Sequence, residues 1–299
     1  MDCQMRISRR AFIGAAAGGA IMATAGAGRA QSARPAATIR GVTIGVNSYC
    51  FPDRPIADAI DVMADLGFTL GEVHPRHMEP SFGAVRGTPI APEQREQLRQ
   101  WRMTVPISHY ENVGAQFRKK GIEVHAYNVN YRPDFTDGEL ERSLEATRAM
   151  GARIVSGAGI DAALARRLDP MAKRHDVRIA VHNHSDVRGE HDFDAILKGL
   201  SDRMAINLDI GHYVAANADP VATLRRRHDD ILLLHVKDRK RDNGPNLPFG
   251  QGDTPIRETL RLLRDERWRI PANIEWEVDG NRVTAVRQCL DYCRQVLES

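Results

Sequence analysis

From about residue 40 onward, short runs rich in β-branched and apolar residues alternate with longer stretches of helical periodicity, and the alternation recurs eight times. The strand candidates are Val42–Asn47, Phe68–His74, Ile122–Asn128, Arg153–Gly157, Arg178–His184, Met204–Ile210, Ile231–Lys237 and Asn273–Val278. Helical patterns follow near Ile56–Leu66, Pro92–Lys120, Asp137–Met150, Asp161–His175, Asp192–Leu200, Pro220–His228, Pro255–Arg267 and Arg282–Leu297, with Pro106 splitting the second into two helices. Strands separated by helices pair in parallel and are covered on both faces. Eight such units predict a single (β/α)8 TIM barrel over residues 41–299. An open doubly wound sheet is the rival. It is disfavoured by the count of eight and by Gly41-Val42-Thr43-Ile44-Gly45, which is not the phosphate-binding turn of a dinucleotide fold.

Local signals punctuate the pattern. Gly67, Gly121 and Gly151 stand where helices must end in a left-handed residue. Asp219-Pro220 and Thr254-Pro255 each put a capping side chain before a proline at the first helical position.

Residues 1–30 read differently. Ser8-Arg9-Arg10-Ala11-Phe12-Ile13 precedes a mildly apolar stretch of Ala and Gly that ends at Gly28-Arg29-Ala30, with small residues at the −3 and −1 positions of a cleavage site. This resembles a twin-arginine export signal, with residues 31–40 as a linker. The expected location is the periplasm or another destination of twin-arginine export, with no membrane attachment after cleavage. Arg6, Arg9, Arg10 and Arg29 against Asp2 account for the whole net charge of +3, so the remainder is neutral. A neutral domain lacks the basic excess of a nucleic-acid binder. Cys50, Cys289 and Cys293 form no disulfide framework and read as reduced thiols.

A strand buried on both faces should be apolar throughout. These start that way and then break at their C-terminal ends: Glu72 and His74, His182 and His184, Asn207 and Asp209, His235 and Lys237, Glu275 and Glu277. Members of each pair are two apart and share a face. Their neighbours, such as Val73, Leu208, Val236 and Trp276, are apolar and would face the helices. The polar members then point into the barrel at the end where barrel enzymes work. Gathering carboxylates and imidazoles there is costly unless a cation or polar ligand compensates. Asp209, Glu275, His182 and His235 would neutralise one divalent cation, and N/O ligation without thiolates suits Mn, Fe, Co, Ni or Zn.

At these residues the chain resembles the xylose isomerase-like barrel superfamily of sugar phosphate isomerases and epimerases. The matching stretches are Glu72-Val73-His74-Pro75-Arg76-His77, Val181-His182-Asn183-His184, Leu208-Asp209-Ile210-Gly211-His212, Leu234-His235-Val236-Lys237-Asp238, Phe249-Gly250-Gln251-Gly252-Asp253 and Ile274-Glu275-Trp276-Glu277. The resemblance implies a metal held by Asp209, His235 and Glu275, with His182 at the position where the isomerases carry a second Glu. That departure argues against a two-glutamate epimerase. It is similar to a His-Asn-His branch that includes lyases or hydrolases of 3-keto-glycosides.

A cation at this rim would stabilise the enediolate formed when a carbon beside a carbonyl loses its proton. Candidate bases are His184, His212 and Glu277, with Lys237 to stabilise the oxyanion or protonate a leaving group. Glu72 and His77 are expected to bind substrate hydroxyls. The expected partner is a small-molecule carbohydrate. The fate of the enediolate separates isomerisation or epimerisation from elimination, and water added later makes elimination a net hydrolysis. A non-catalytic periplasmic carbohydrate-binding protein is the alternative class. A nuclease of the same barrel type fits neither the export signal nor the neutral domain.

Overall fold

The computed structural model describes residues 38–83, 89–184, 187 and 189–299. The expected export signal, and all of the linker before residue 38, lie outside the described residues. Eight parallel strands close on themselves: β1 (Val42–Asn47), β2 (Leu70–Val73), β3 (Glu123–Asn130), β4 (Ile154–Ala158), β5 (Arg178–His182), β6 (Met204–Asp209), β7 (Ile231–Val236) and β8 (Ala272–Ile274). Closure is made by β8 beside β1, where Asn273 pairs with Gly45, and by β1 beside β2, where Asn47 pairs with Glu72. The architecture is the single (β/α)8 barrel expected from the alternation. A two-residue strand, Thr38–Ile39, pairs antiparallel with β1 at its start.

The helices are α1 (Ile56–Leu66), α2 (Pro92–Thr104), α3 (Ser108–Lys119), α4 (Asp137–Ala149), α5 (Ala162–His175), α6 (Glu190–Leu197), α7 (Ile210–Ala215), α8 (Pro220–Arg227), α9 (Ile256–Asp265) and α10 (Arg282–Glu298). The break between α2 and α3 falls at Pro106, as expected. Gly67 ends α1 with φ of 91° and closes onto the Ala64 and Met63 carbonyls. Asp219 caps α8 through the Val221 and Ala222 N–H groups, with Pro220 next to it.

Thr254 does not cap α9. That helix starts at Ile256 without a side-chain cap, because Asp238 accepts the Thr254 N–H and Thr254 Oγ1 accepts the Arg239 N–H. β8 is also shorter than expected, so Glu275, Trp276 and Glu277 lie past the strand end.

The main apolar core lies between the strands and the helices, as with Ile44, Ile179, Leu208 and Leu234 from the strands and Phe117, Leu140, Leu168 and Leu260 from the helices. Ala126, Ala180 and Leu233 form a small separate cluster. Each precedes a polar residue of the same face by two: Asn128, His182 and His235. The barrel interior is thus apolar toward its base and polar toward its C-terminal rim.

Candidate metal centre

His182, Asp209, His235 and Glu275 each present one donor atom, and the four lie within 4.8 Å of one another, all buried. They come from the ends of β5, β6, β7 and β8. Asp209 is fixed twice. Its Oδ1 accepts the His212 N–H at 2.8 Å, capping α7, which leaves Oδ2 facing His182 Nε2 at 3.4 Å. Its backbone is gripped by Asn183, whose Oδ1 accepts from the Asp209 N–H and whose Nδ2 donates to the Asp209 carbonyl. The middle residue of His-Asn-His therefore ties the ends of β5 and β6 together.

His235 is oriented from behind. Glu72 Oε2 lies 2.6 Å from its Nε2, so the buried carboxylate accepts a hydrogen bond from Nε2–H, and against the effect of burial the flanking Glu72 and Glu275 carboxylates raise the ring well above its ordinary value. His235 Nδ1 is 3.0 Å from Glu275 Oε2. A ring nitrogen and a carboxylate oxygen this close in a buried site need a proton or a metal cation between them, and a divalent cation would replace the proton. With two carboxylates, two imidazoles and no thiolate, the donor set suits the same first-row divalent metals inferred from the strand ends.

Lys237 is the other cation of this rim. Its Nζ lies 3.1 Å from Asp209 Oδ2, 2.8 Å from Glu275 Oε2 and 3.6 Å from Glu277 Oε1. Burial alone would lower the ammonium and raise both ligand carboxyls. Lys237 reverses this for Asp209 and Glu275, which stay well below the ordinary carboxylate range, and they hold Lys237 above its own. Gly211 makes room for the Lys237 stem: a Cβ there would sit 2.3 Å from Lys237 Cγ and 2.8 Å from its carbonyl oxygen.

His184 and His212 stand beside this ammonium, with ring centroids 4.6 Å apart. Burial, then the neighbouring His182 and Lys237, pushes His184 down to about 3; burial, then Lys237, pushes His212 to about 2. Both are neutral imidazoles. Glu277 accepts from Asn246 Nδ2 at 2.9 Å, on a short strand (Asn246–Leu247) that pairs with Asp238–Arg239. Asp238 itself is structural. Its carboxylate accepts the N–H groups of Gly250, Gly252 and Thr254, and a Cβ at Gly252 would lie 2.0 Å from Asp238 Oδ1.

Glu72 and His77, the two residues expected to bind substrate hydroxyls, are engaged by other groups of the protein. Glu72 has no exposed surface and is spent on His235, on Asn273 Nδ2 at 2.8 Å and on Asn128. Both nitrogens of His77 are engaged by the loop after β1, Nδ1 with Ser48 Oγ at 3.0 Å and Nε2 with the Phe51 carbonyl at 3.1 Å. Backbone at those loops explains both: β2 ends at Val73, which leaves Glu72 inside the barrel and His77 folded back in a short 3-10 turn.

A cavity of about 610 Å³ opens on the same face, lined by Tyr49, His74, Arg76, Glu79, Leu98 and Asn130. Tyr49 and His74 pack against each other with ring centroids 4.5 Å apart and planes tilted by 39°. Burial lowers His74 to about 3 despite the nearby Glu275 and Glu72, so its ring is neutral too. Of these residues only His74 was visible as a strand-end polar group. Tyr49, Arg76 and Asn130 have no pattern of their own, and only closure of the barrel gathers them.

Solved structures share this fold. A sugar phosphate isomerase/epimerase from Parabacteroides distasonis is 15% identical, with 87% of this chain and 97% of that chain covered at a TM-score of 0.62. The probable 3-DHS dehydratase AsbF of Bacillus anthracis is 14% identical, covering 86% and 98% at 0.62. The IOLI protein with a bound zinc atom is 12% identical, covering 85% and 96% at 0.61. No curated protein sequence matches this one. The family model described as xylose isomerase-like TIM barrel matches residues 60–296. That span contains all eight strands except β1, and every residue of the candidate centre: the chain belongs to the xylose isomerase-like TIM barrel family.

Proposed function

We propose that this protein is a divalent-metal-dependent enzyme acting on a sugar or keto-sugar, and that it eliminates the aglycone of a 3-keto-glycoside. The observation that carries the reading is the buried four-donor set, in which His182 replaces the second carboxylate that a two-glutamate proton shuttle needs. A divalent cation held by His182, Asp209, His235 and Glu275 would supply Lewis acidity toward the keto oxygen and a neighbouring hydroxyl.

The chain's own groups supply the proton transfers. His184, a neutral imidazole beside the donor set, takes the proton from the carbon between the ketone and the glycosidic carbon. The C–H electron pair becomes a carbon–carbon double bond as the glycosidic C–O bond breaks. Lys237, held as an ammonium by Asp209 and Glu275, gives the departing oxygen its proton. Water adding to the resulting enone makes the net reaction hydrolysis. Glu277 faces the same ammonium and steadies it as its charge changes. The dehydratase and the zinc-binding protein among the structural neighbours are consistent with elimination and with a metal. The carbohydrate is met in the periplasm, on the strength of the Ser8-Arg9-Arg10 leader.

The test uses the mature chain, residues 31–299. Bound metal is quantified, and the protein is incubated with a 3-keto-glucoside and with free ketoses. About one metal per chain with release of the aglycone is expected. Interconversion of ketoses without release would replace elimination by epimerisation. No metal and no turnover after adding divalent cations would overturn the enzyme reading in favour of a binding protein.

A further inference from the structure

We infer that Cys50 is a positioning residue of the candidate centre: its thiol braces the backbone on both sides of Glu275 and thereby aims the Glu275 carboxylate at the donor set. The inference rests on the reading of that set as a metal centre.

β8 ends one residue before Glu275, and its register with β1 ends at the Ile274–Val46 pair. On the β7 side the ladder goes one step further, with the Glu275 N–H donating to the Val236 carbonyl at 3.1 Å. On the β1 side it does not, because the chain turns after Asn47 into the 3-10 turn Ser48–Cys50. That turn carries the Cys50 side chain to the edge that β1 has left. The Trp276 N–H donates to Cys50 Sγ at 3.2 Å, and the thiol donates to the Ile274 carbonyl at 3.4 Å. In a parallel pair the N–H and C=O of one residue serve those same two groups, the carbonyl before and the N–H after the residue opposite. Here one sulfur, weak donor and weak acceptor at once, does so. Cys50 is fully buried, so removing the thiol would leave the Trp276 N–H without a partner.

The consequence falls on one side chain. Peptide groups are planar, so the two planes that meet at Glu275 fix its φ and ψ, and with them the direction of its Cβ. The Ile274 carbonyl belongs to the first plane and the Trp276 N–H to the second, and Cys50 holds both. Glu275 Oε2 lies 2.8 Å from Lys237 Nζ and 3.0 Å from His235 Nδ1, so a small rotation at its Cα moves the oxygen relative to both. Arg282 adds a hold from α10, its Nη1 donating to the Trp276 carbonyl at 3.0 Å. That carbonyl belongs to the plane after Trp276 and does not fix Glu275. The sequence gives no sign of this role, because Cys50 stands apart from the strand-end pairs and reads only as a reduced thiol.

The experiment uses residues 31–299 as wild type, Cys50→Ala, Cys50→Ser and Cys293→Ala, titrated with cobalt(II), whose visible absorption reports the geometry of its ligands. Cys50→Ala should lower cobalt affinity about tenfold to a hundredfold and change the spectrum. Cys50→Ser, which keeps a donor and an acceptor, should recover most of both. Cys293→Ala truncates an equally buried thiol, on α10, and should leave both unchanged. In the metal-free protein, amide exchange at Trp276 should be slow in wild type and Cys50→Ser and faster in Cys50→Ala. Affinity and spectrum unmoved in Cys50→Ala, an equal loss in Cys293→Ala, or Trp276 exchange indifferent to the thiol overturns the inference. Should Cys50→Ala fail to fold, Cys50→Val, which fills the site without a hydrogen-bonding group, takes its place. The exchange needs no metal, so a wild type that takes up no cobalt while Trp276 exchange follows the thiol sinks the proposed centre and leaves the brace standing.

Discussion

His235 shows how one side chain's chemistry is decided two atoms away from it. Glu72 holds Nε2, which leaves Nδ1 as the ring nitrogen open to a cation. Outer-shell carboxylates of this kind orient the ring and raise its basicity. Glu72→Gln keeps the shape and an acceptor oxygen but loses the charge, so metal affinity should fall about tenfold to a hundredfold while the fold is retained. Metal titration of residues 31–299, with circular dichroism as the control, measures this; an unchanged affinity would remove Glu72 from the centre. The sequence showed Glu72 as polar, inward and near a rim. It did not show depth, because two residues of a strand differ by one turn of pleat and only the end of β2 at Val73 puts Glu72 below the rim. The contacts of His77 were hidden for a related reason, since the 3-10 turn Pro75–His77 turns its ring onto Ser48 and the Phe51 carbonyl.

Elements depend on their ends. α4 begins with a capping box in which Thr136 accepts the Glu139 N–H and the Glu139 carboxylate accepts the Thr136 N–H. Thr136→Ala should cost about 1 kcal/mol in urea unfolding. A loss indistinguishable from zero would mean that the packing of α4 alone sets its start. The same Glu139 carboxylate reaches Arg95, Arg99 and Arg102 on α2, so the cap and the bridge between two helices share one group. Periodicity exposed α4 and the split of α2 from α3. It missed α7, whose six residues are too few to show a period and whose start is Asp209 of the candidate centre. The brevity of β8 was hidden as well, because Glu275-Trp276-Glu277 alternates like a strand although the chain has already left the sheet.

For the whole molecule, this bridge gives an acid dependence. Burial would raise the Glu139 carboxyl, but hydrogen bonds from Arg95 and the Thr136 N–H, with Arg102, hold it down at about 2 against an ordinary 4.5. A carboxyl lowered in the folded state binds its proton more readily when unfolded. Its stabilisation is therefore complete above about 4.5 and is lost as pH falls toward 2. The melting temperature of wild type should drop across that window, and Glu139→Gln should start lower at neutral pH and fall less steeply. Parallel acid limbs for the two proteins would show that other carboxylates, among them Glu72 of the centre, dominate the acid response.

By itself the sequence determined the barrel, because alternating periods of two and 3.6 are local and leave few ways to bury eight strands and their helices. It also determined the kind of chemistry at the rim, because carboxylates and imidazoles stand out against strands that must otherwise be apolar. Tertiary structure alone decided which of those groups meet. His235 and Glu72 are far apart in the chain and touch only because β7 and β2 face each other across a closed barrel. The Cys50–Trp276 contact likewise needs the turn after β1 to meet the chain as it leaves β8. Hydrogen-bond direction, which separates candidate ligand from support, is a property of those contacts and is written in no single stretch of residues.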